Sequence, residues 1–108
     1  MPWTFLCNFD ELKEGVGKYV AAAGRTLGVY LDAGQVYVLD DRCPHAGASI
    51  SAGHVQNGCA ICPRHDWAFK LADGYLSDSQ YVRVKSYPAR VVTSSHGRQQ
   101  VEAELPSI

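Results

Sequence analysis

The sequence predicts an all-β fold, a sandwich or barrel of antiparallel strands in a single domain spanning residues 1–108. Short runs rich in β-branched and aromatic residues recur at a spacing of roughly eight to twelve residues, separated by glycine and aspartate turns. No segment keeps a helical period beyond one or two turns. One long stretch, from Asp41 to about Gly58, has little regular pattern and many small residues, and such a segment in a compact domain is usually functional.

The first half of the chain predicts four strands, with a short turn or helical stub after the first one. The strands are expected at Trp3–Cys7, Lys18–Ala23, Thr26–Leu31 and Gln35–Asp40, and the stub at Asp10–Glu14. Gly24-Arg25 would close a hairpin, and "DAG" (Asp32–Gly34) would form a three-residue turn. The sequence of the fourth strand, "QVYVLD", is typical of a half-buried strand.

The last third of the chain predicts four more strands. They are expected at Trp67–Leu71, Tyr81–Ser86, Arg90–Thr93 and Arg98–Leu105. Asp73-Gly74 forms the turn after the first of these, and Val82 and Val84 share one face of the second. The last two would pair across the polar turn "SSHG".

Composition and charge exclude several classes of partner. With 46% hydrophobic and 19% charged residues, the chain has the composition of a folded domain. A net charge of −1 and a pI of about 6.4 give no basis for a nucleic-acid or anionic-membrane partner. No apolar run is long enough to span a membrane, and the N-terminus lacks the pattern of a signal peptide. We therefore expect a soluble protein of the cytoplasm.

The irregular stretch concentrates cysteine and histidine in two short patterns. Cys43-x-His45 is followed, after sixteen intervening residues, by Cys62-x-x-His65. A proline after each cysteine stiffens its turn. Gly47 permits a backbone conformation or a close approach that a side chain would obstruct. Two rigid loops, each offering a thiolate and an imidazole, suit a binuclear centre bridged by sulfide.

The same residues are compatible with two other kinds of site. Zinc bound by two cysteines and two histidines is chemically acceptable, but finger spacings pair cysteine with cysteine and histidine with histidine. Cys59 and Cys62 form a C-x-x-C that resembles a redox dithiol, yet no βαβ pattern surrounds them. We expect Cys59 to be a packing residue and Cys7 to be a buried small hydrophobe. His54 and His96 are expected at the surface, without a role.

The pattern C-P-H-x-G followed by C-P-x-H resembles the motif of the Rieske [2Fe–2S] family, as do the continuations "HDWAF" and "LADG". The resemblance implies a Rieske-type antiparallel β sandwich or barrel with a small cluster-binding subdomain at about 41–70, formed by two loops. It implies one [2Fe–2S] cluster, with Cys43 and Cys62 as thiolate ligands of one iron and His45 and His65 as imidazole ligands of the other. No residue of the chain is implied to be catalytic by itself.

Departures from the motif indicate which kind of Rieske protein the chain resembles. High-potential members carry an extra cysteine in each loop, and the two form a disulfide bridge; this chain has Ala48 and Arg64 at those places. High-potential members also have a serine and a tyrosine that donate hydrogen bonds to the cluster sulfurs, near the positions of Asp66 and Trp67 here. With fewer hydrogen-bond donors and no bridge, the reduction potential is expected near the low end of the Rieske range, roughly −150 mV rather than +300 mV.

The resemblance implies an electron carrier rather than a complete enzyme, because no second iron site or substrate domain is present in the sequence. We expect a ferredoxin or the small subunit of an assimilatory NAD(P)H-dependent nitrite reductase, with a flavin reductase and a terminal reductase or oxygenase as partners. A ferredoxin of an aromatic-ring dioxygenase is the alternative, and a non-redox interaction subunit on the same fold is a second.

The candidates for the partner contact are Ala46, Gly47, Arg64 and the residues around Pro88. Tyr87-Pro88-Ala89 is either a loop covering the cluster or an ordinary edge-strand proline.

Overall fold

The computed structural model describes residues 3–44, 47–64 and 66–106, and within them the fold is all-β. Two 3-10 turns, Phe9–Glu11 and Ile50–Ala52, are the helical elements of this part of the chain. The strands are β1 (Trp3–Asn8), β2 (Gly17–Ala22), β3 (Arg25–Asp32), β4 (Gln35–Asp40), β5 (His54–Gln56), β6 (Cys59–Ile61), β7 (Ala68–Lys70), β8 (Ser86–Tyr87), β9 (Ala89–Thr93) and β10 (Gln99–Glu104). The predicted fold class is confirmed.

The strands form three antiparallel sheets. One sheet has the order β1-β10-β9, the second β2-β3-β4-β8 and the third β5-β6-β7. We call the first two sheets the base. We call β5–β7 together with the segments 41–53 and 62–67 the small subdomain. None of the helices in the described ranges has the length and apolar character that crossing a bilayer requires.

The sheet β2-β3-β4-β8 has a hydrophobic core on each face. Because side chains alternate along a strand, Val29 and Leu31 of β3 enter a core shared with β1 and β10, which we call the base core. Tyr30 of β3 and Leu39 of β4 enter a second core shared with the small subdomain, which we call the site core. Strand β4 is therefore covered on both faces, and the prediction of a half-buried strand there is wrong.

Three hairpins use the same two-residue turn, in which both central residues have positive φ. The turns are Ala23-Gly24 between β2 and β3, Ala33-Gly34 between β3 and β4, and Asn57-Gly58 between β5 and β6. This backbone twist matches the twist of the flanking strands. The first two lie within one residue of the predicted turns. The third hairpin was not predicted, although Asn-Gly is a strong hairpin signal.

The last third of the chain follows the prediction except at Tyr81–Ser86. That segment forms an isolated bridge between Arg83 and Tyr75 before the two-residue strand β8 begins. Val82 and Val84 nevertheless pack into the same site core, as the shared face predicted. Strands β9 and β10 pair as expected.

Candidate metal centre

The first half of the site is a tight loop that directly follows strand β4. The Cys43 amide donates to the Ala48 carbonyl at 2.9 Å, and the Gly47 amide donates to the Cys43 carbonyl at 2.7 Å. Gly47 has φ of +67°, which explains why glycine stands there. These bonds fix the backbone on either side of the loop and aim the Cys43 side chain into the site core.

The second half repeats this arrangement directly after strand β6. The Cys62 amide donates to the Trp67 carbonyl at 2.8 Å, and the Asp66 amide donates to the Cys62 carbonyl at 3.0 Å. Asp66 takes the place of Gly47 and has φ of +54°. The two cysteines thus begin two loops with the same hydrogen-bond pattern, which we call loop 1 (43–48) and loop 2 (62–67).

The structure brings the two predicted thiolate ligands into one apolar environment. Cys43 and Cys62 both have no exposed surface, and both belong to the site core with Ile50, Ala60 and Phe69. Cys62 is a free thiol. His45 and His65, the predicted imidazole ligands, lie outside the described residues.

Gly53 packs closely against the start of loop 2. A Cβ added there would fall inside contact distance of the Ile61 carbonyl oxygen and lie 3.3 Å from the Pro63 ring. The chain therefore needs glycine at this position so that the end of the Ile50–Ala52 turn can pass against the start of loop 2. This contact places loop 2 relative to the segment that follows loop 1.

A buried carboxylate that was not predicted from the sequence holds the small subdomain to the end of β4. Asp41 is 4% exposed, and its carboxylate accepts the Ser51 amide at 2.6 Å and the hydroxyl of Ser49. Its backbone is also fixed, because the Asp41 amide donates to the Thr26 carbonyl at 3.0 Å. Loop 1 lies between Asp41 and these serines in sequence, so the carboxylate closes the loop at its base. An aspartate two residues before the cysteine, followed by serines, was the available signal.

The remaining cysteines occupy other environments, as predicted. Cys7 packs in the base core, and burial raises the pKa of its thiol to about 11. Cys59 lies in β6 opposite Lys70, outside the site core, and burial likewise raises its thiol pKa. Because Cys59 and Cys62 point into different surroundings, the structure does not support a C-x-x-C dithiol.

The two histidines without an assigned role are at the surface. His54 and His96 are both exposed, and His54 lies 3.2 Å from the Gln56 side chain. Within the described residues, no group of three His, Cys, Asp or Glu side chains is placed to hold a metal.

Pro88 lies in the base. It joins β8 to β9, and its carbonyl accepts the Glu104 amide at 2.9 Å. Its neighbour Tyr87 pairs with Val38 in β4 and packs in the base core. Of the two interpretations of Tyr87-Pro88-Ala89, the structure supports the strand proline, because Pro88 directly joins two strands.

The donor set fits an iron–sulfur centre. Thiolates are the ligands that iron–sulfur clusters use, and two thiols here are withdrawn from water at the start of two matched loops. Apolar neighbours around them control the access of solvent, which is one of the levers that sets a cluster's potential.

A family model identifies the class of protein. The model of the Rieske [2Fe–2S] domain matches residues 2–88, and the chain belongs to that family. Its cofactor is the Rieske-type [2Fe–2S] cluster. The predicted fold, cofactor and electron-transfer role are confirmed at this level.

The curated relatives include oxygenases and ferredoxins. The chain is 35% identical to the cholesterol 7-desaturase of Hemicentrotus pulcherrimus over 96 residues, 86% of this chain and 20% of that protein. It therefore spans about a fifth of the length of the first curated relatives it matches. It is also 33% identical over 75 residues to the 3-phenylpropionate/cinnamic acid dioxygenase ferredoxin subunit of Photorhabdus laumondii, covering 68% of this chain and 70% of that one.

Two solved structures match over nearly the whole of both chains. A putative NADH-dependent nitrite reductase small subunit from Mycobacterium tuberculosis has a TM-score of 0.81 and 31% identity, covering 97% of each chain. The ferredoxin of Sphingomonas yanoikuyae B1 has a TM-score of 0.80 and 27% identity, covering 97% of this chain and 100% of that one.

Proposed function

We propose that Cys43 and Cys62 bind one iron of the cluster and that His45 and His65 bind the other. The two matched loops support this assignment, since each begins with a fully buried cysteine and carries one of the histidines. When bound, the cluster supplies a site that accepts and releases one electron. The assignment makes 41–70 the cluster-binding part of a single domain spanning 1–108.

The proposed site has a buried apolar side and a solvent-exposed side. Ile50, Ala60 and Phe69 surround the thiols and exclude water from them. Beyond the two buried cysteines, Pro44 and Gly47 of loop 1 and Arg64 of loop 2 are exposed. The exposed loop side is therefore where a redox partner approaches closely, without passing through the domain.

We infer that the chain is the one-electron carrier of a multicomponent oxidoreductase system, of the type found as the small subunit of NAD(P)H-dependent nitrite reductase. The observation that carries this proposal is the pair of matched cysteine loops in a chain that resembles such a small subunit over 97% of both chains. The partners would be a flavin reductase and a terminal reductase.

A second candidate is the ferredoxin of an aromatic-ring dioxygenase, which would pass its electron to a terminal oxygenase. The similarity to the Photorhabdus laumondii ferredoxin subunit supports it. A cytoplasmic location stays a prediction in both cases.

The first experiment is spectroscopic. The chain, purified under anaerobic conditions and reduced with dithionite, is expected to give the EPR signal of a [2Fe–2S] centre with mixed sulfur and nitrogen ligation, titrating near the low end of the Rieske range, roughly −150 mV. A colourless protein with stoichiometric zinc, or one without metal, would leave only an interaction subunit. A potential above zero would overturn the low-potential assignment.

The second experiment separates the two systems. The reduced holoprotein is mixed in turn with a purified nitrite reductase large subunit and with a purified Rieske oxygenase, each supplied with its substrate. Reoxidation of the chain coupled to nitrite loss supports the first candidate. Reoxidation coupled to substrate hydroxylation supports the second and overturns the first.

A further inference from the structure

A groove lined by cations lies directly beside loop 1. It has a volume of about 490 Å³, and its basic lining residues are Arg25, Arg42, Arg83 and Lys85. Pro44 of loop 1 forms part of the wall. Because Pro44 follows Cys43 directly in the chain, this basic groove adjoins the proposed cluster on the loop 1 side.

The charge of the groove is not neutralised by ion pairs within the described chain. The four ion pairs there use Lys18, Lys70, Arg90 and Arg98, all outside the groove. Asp40 is the carboxylate among the lining residues, and it accepts the Tyr87 hydroxyl at 2.7 Å. Cations thus outnumber carboxylates in the groove, although the whole protein has a net charge of −1.

The cations are held in place by contacts that keep their charge. The Arg42 guanidinium lies over loop 1, within 3.5 Å of where a Cβ on Gly47 would be. Arg83 lies 5.0 Å from the centre of the Tyr75 ring, and Lys85 lies 5.8 Å from that of Tyr87. All three cations are exposed. Aromatic rings position a cation without supplying a counter-charge.

Arg25 has a different role in the groove from the three exposed cations. Its guanidinium donates to the Tyr87 hydroxyl and to the Pro106 carbonyl, both at 3.1 Å. Arg25 is therefore a half-buried residue that stabilises the base of the groove by hydrogen bonds. The other three cations, Arg42, Arg83 and Lys85, form the exposed part of the lining, which we call the basic edge.

The two sides of the site differ in charge. In loop 2 the exposed Arg64 is followed two residues later by the exposed Asp66, so the charges of that loop offset each other. On the loop 1 side, the basic edge faces solvent beside an uncharged loop segment, Pro44 and Gly47. An approaching negative surface is attracted toward loop 1.

We propose that the basic edge formed by Arg42, Arg83 and Lys85 is the docking surface for a carboxylate-rich rim on the redox partner protein. This inference rests on the proposed function, since it assumes that an electron leaves or enters at the cluster. Charge complementarity there speeds encounter and sets the partner's orientation, so that loop 1 faces the partner's cofactor.

The test measures the local field at the cluster with small oxidants of opposite charge. The reduced holoprotein passes one electron either to anionic Co(III)–EDTA or to cationic hexaamminecobalt(III), giving oxidised protein and Co(II). Stopped-flow rates are compared for the wild type and for the double variant Arg83→Gln/Lys85→Gln. The matched control is Lys13→Gln/Arg98→Gln, which removes one lysine and one arginine charge outside the groove.

We expect the groove variant to lower the ratio of anionic to cationic rates at least threefold at about 10 mM salt, where the Debye length is roughly 30 Å. The effect should vanish near 1 M salt, where it is roughly 3 Å. The control should leave the ratio within a factor of about 1.5. Equal ratios in the two variants would overturn the proposal.

A competition experiment distinguishes a protein partner from a small anion. A hexaglutamate peptide should slow oxidation by Co(III)–EDTA for the wild type and the control, and not for the groove variant. If inorganic phosphate or ATP competes and the peptide does not, the groove is a small-anion site and the docking proposal is wrong. A protein that binds no cluster gives no rates at all, which would instead contradict the proposed function.

Discussion

The base core and the site core lie on opposite faces of one sheet, yet they are built differently. The base core is closed by long strands, including the eight residues of β3 and the six each of β1 and β10. The small subdomain has three strands of only three residues each, joined by irregular segments. Hydrogen bonds between long strands stabilise the base, whereas the small subdomain depends on loop contacts.

The cores also differ in what their cysteines do. Among the described residues, Cys7 is one of eleven buried in the base core and behaves as an apolar side chain, with its pKa raised to about 11. Cys43 and Cys62 are two of the nine that the described part of the chain buries in the site core. If they ligate iron, the site core is complete only when the cluster is bound, and the base core needs no metal. Ligation then contributes folding free energy to one region and not to the other.

The largest effect is expected from Cys62→Ser. Loss of one thiolate should abolish cluster binding and remove the amide protection of β5–β7, while β1, β9 and β10 keep theirs. Visible absorption measures cluster binding, and hydrogen exchange measures the amide protection of each strand. Cys59→Ser, which changes the same chemical group three residues earlier, should retain the cluster. Loss of protection throughout the base would show that the two cores fold as one unit.

Gly53→Ala should break the small subdomain by overpacking. The new methyl group would collide with the Ile61 carbonyl oxygen next to loop 2. We expect the free energy of unfolding to fall by about 3 kcal/mol, with partial loss of the cluster. Gly58→Ala is the control, because nothing lies within 4 Å of its added Cβ, and its positive φ alone should cost about 1 kcal/mol. Equal costs would show that the contact at Gly53 relaxes freely.

Asp41→Asn tests the carboxylate that closes loop 1. The amide has no charge, so the two charge-assisted hydrogen bonds to Ser49 and Ser51 are replaced by weaker neutral ones in a buried site. Urea unfolding should show a loss of about 2 kcal/mol. Asp78→Asn, at an exposed aspartate, should be close to neutral. No loss at Asp41 would mean that the serines find other partners.

The ease of prediction also differs between the regions. In the base, apart from β8, paired apolar runs and glycine turns such as Ala33-Gly34 place the strands within about two residues, because local backbone preference and strand register agree there. At the site, the spacing of Cys43 and Cys62 is a sequence signal, and the structure places both in one core.

The partners of other site residues were not predicted, because residue types alone do not show which segments the fold brings together. The carboxylate of Asp41 meets Ser51 only after the chain has turned through loop 1. The basic groove joins Arg42 to Lys85 across forty-three positions of sequence. The two-sided burial of β4 was missed because an apolar strand does not show whether a second layer will cover it.

The pH dependence of the base should reveal its buried thiol. In the unfolded chain a cysteine ionises near pH 9.0, and in the base core Cys7 does so only near pH 11. The native state therefore holds this proton more tightly, and the resulting stability, present below pH 9, is lost as the pH rises through 11. The free energy of unfolding, measured at several alkaline pH values, should fall more steeply with rising pH for the wild type than for Cys7→Ala. Parallel curves would contradict the burial of the thiol.

The smallest effect tests the boundary between the two cores. The Tyr30 hydroxyl is buried on the site-core side of β3 and has no hydrogen-bond partner within the described chain. Tyr87, on the other side, donates its hydroxyl to Asp40 at 2.7 Å. A buried hydroxyl without a partner destabilises the fold, so Tyr30→Phe should raise the free energy of unfolding by up to about 1 kcal/mol, and Tyr87→Phe should lower it by about 1 kcal/mol. A loss at Tyr30, together with a shift in the cluster's reduction potential, would instead show that its hydroxyl acts toward the metal centre and that the sheet of the base takes part in tuning it.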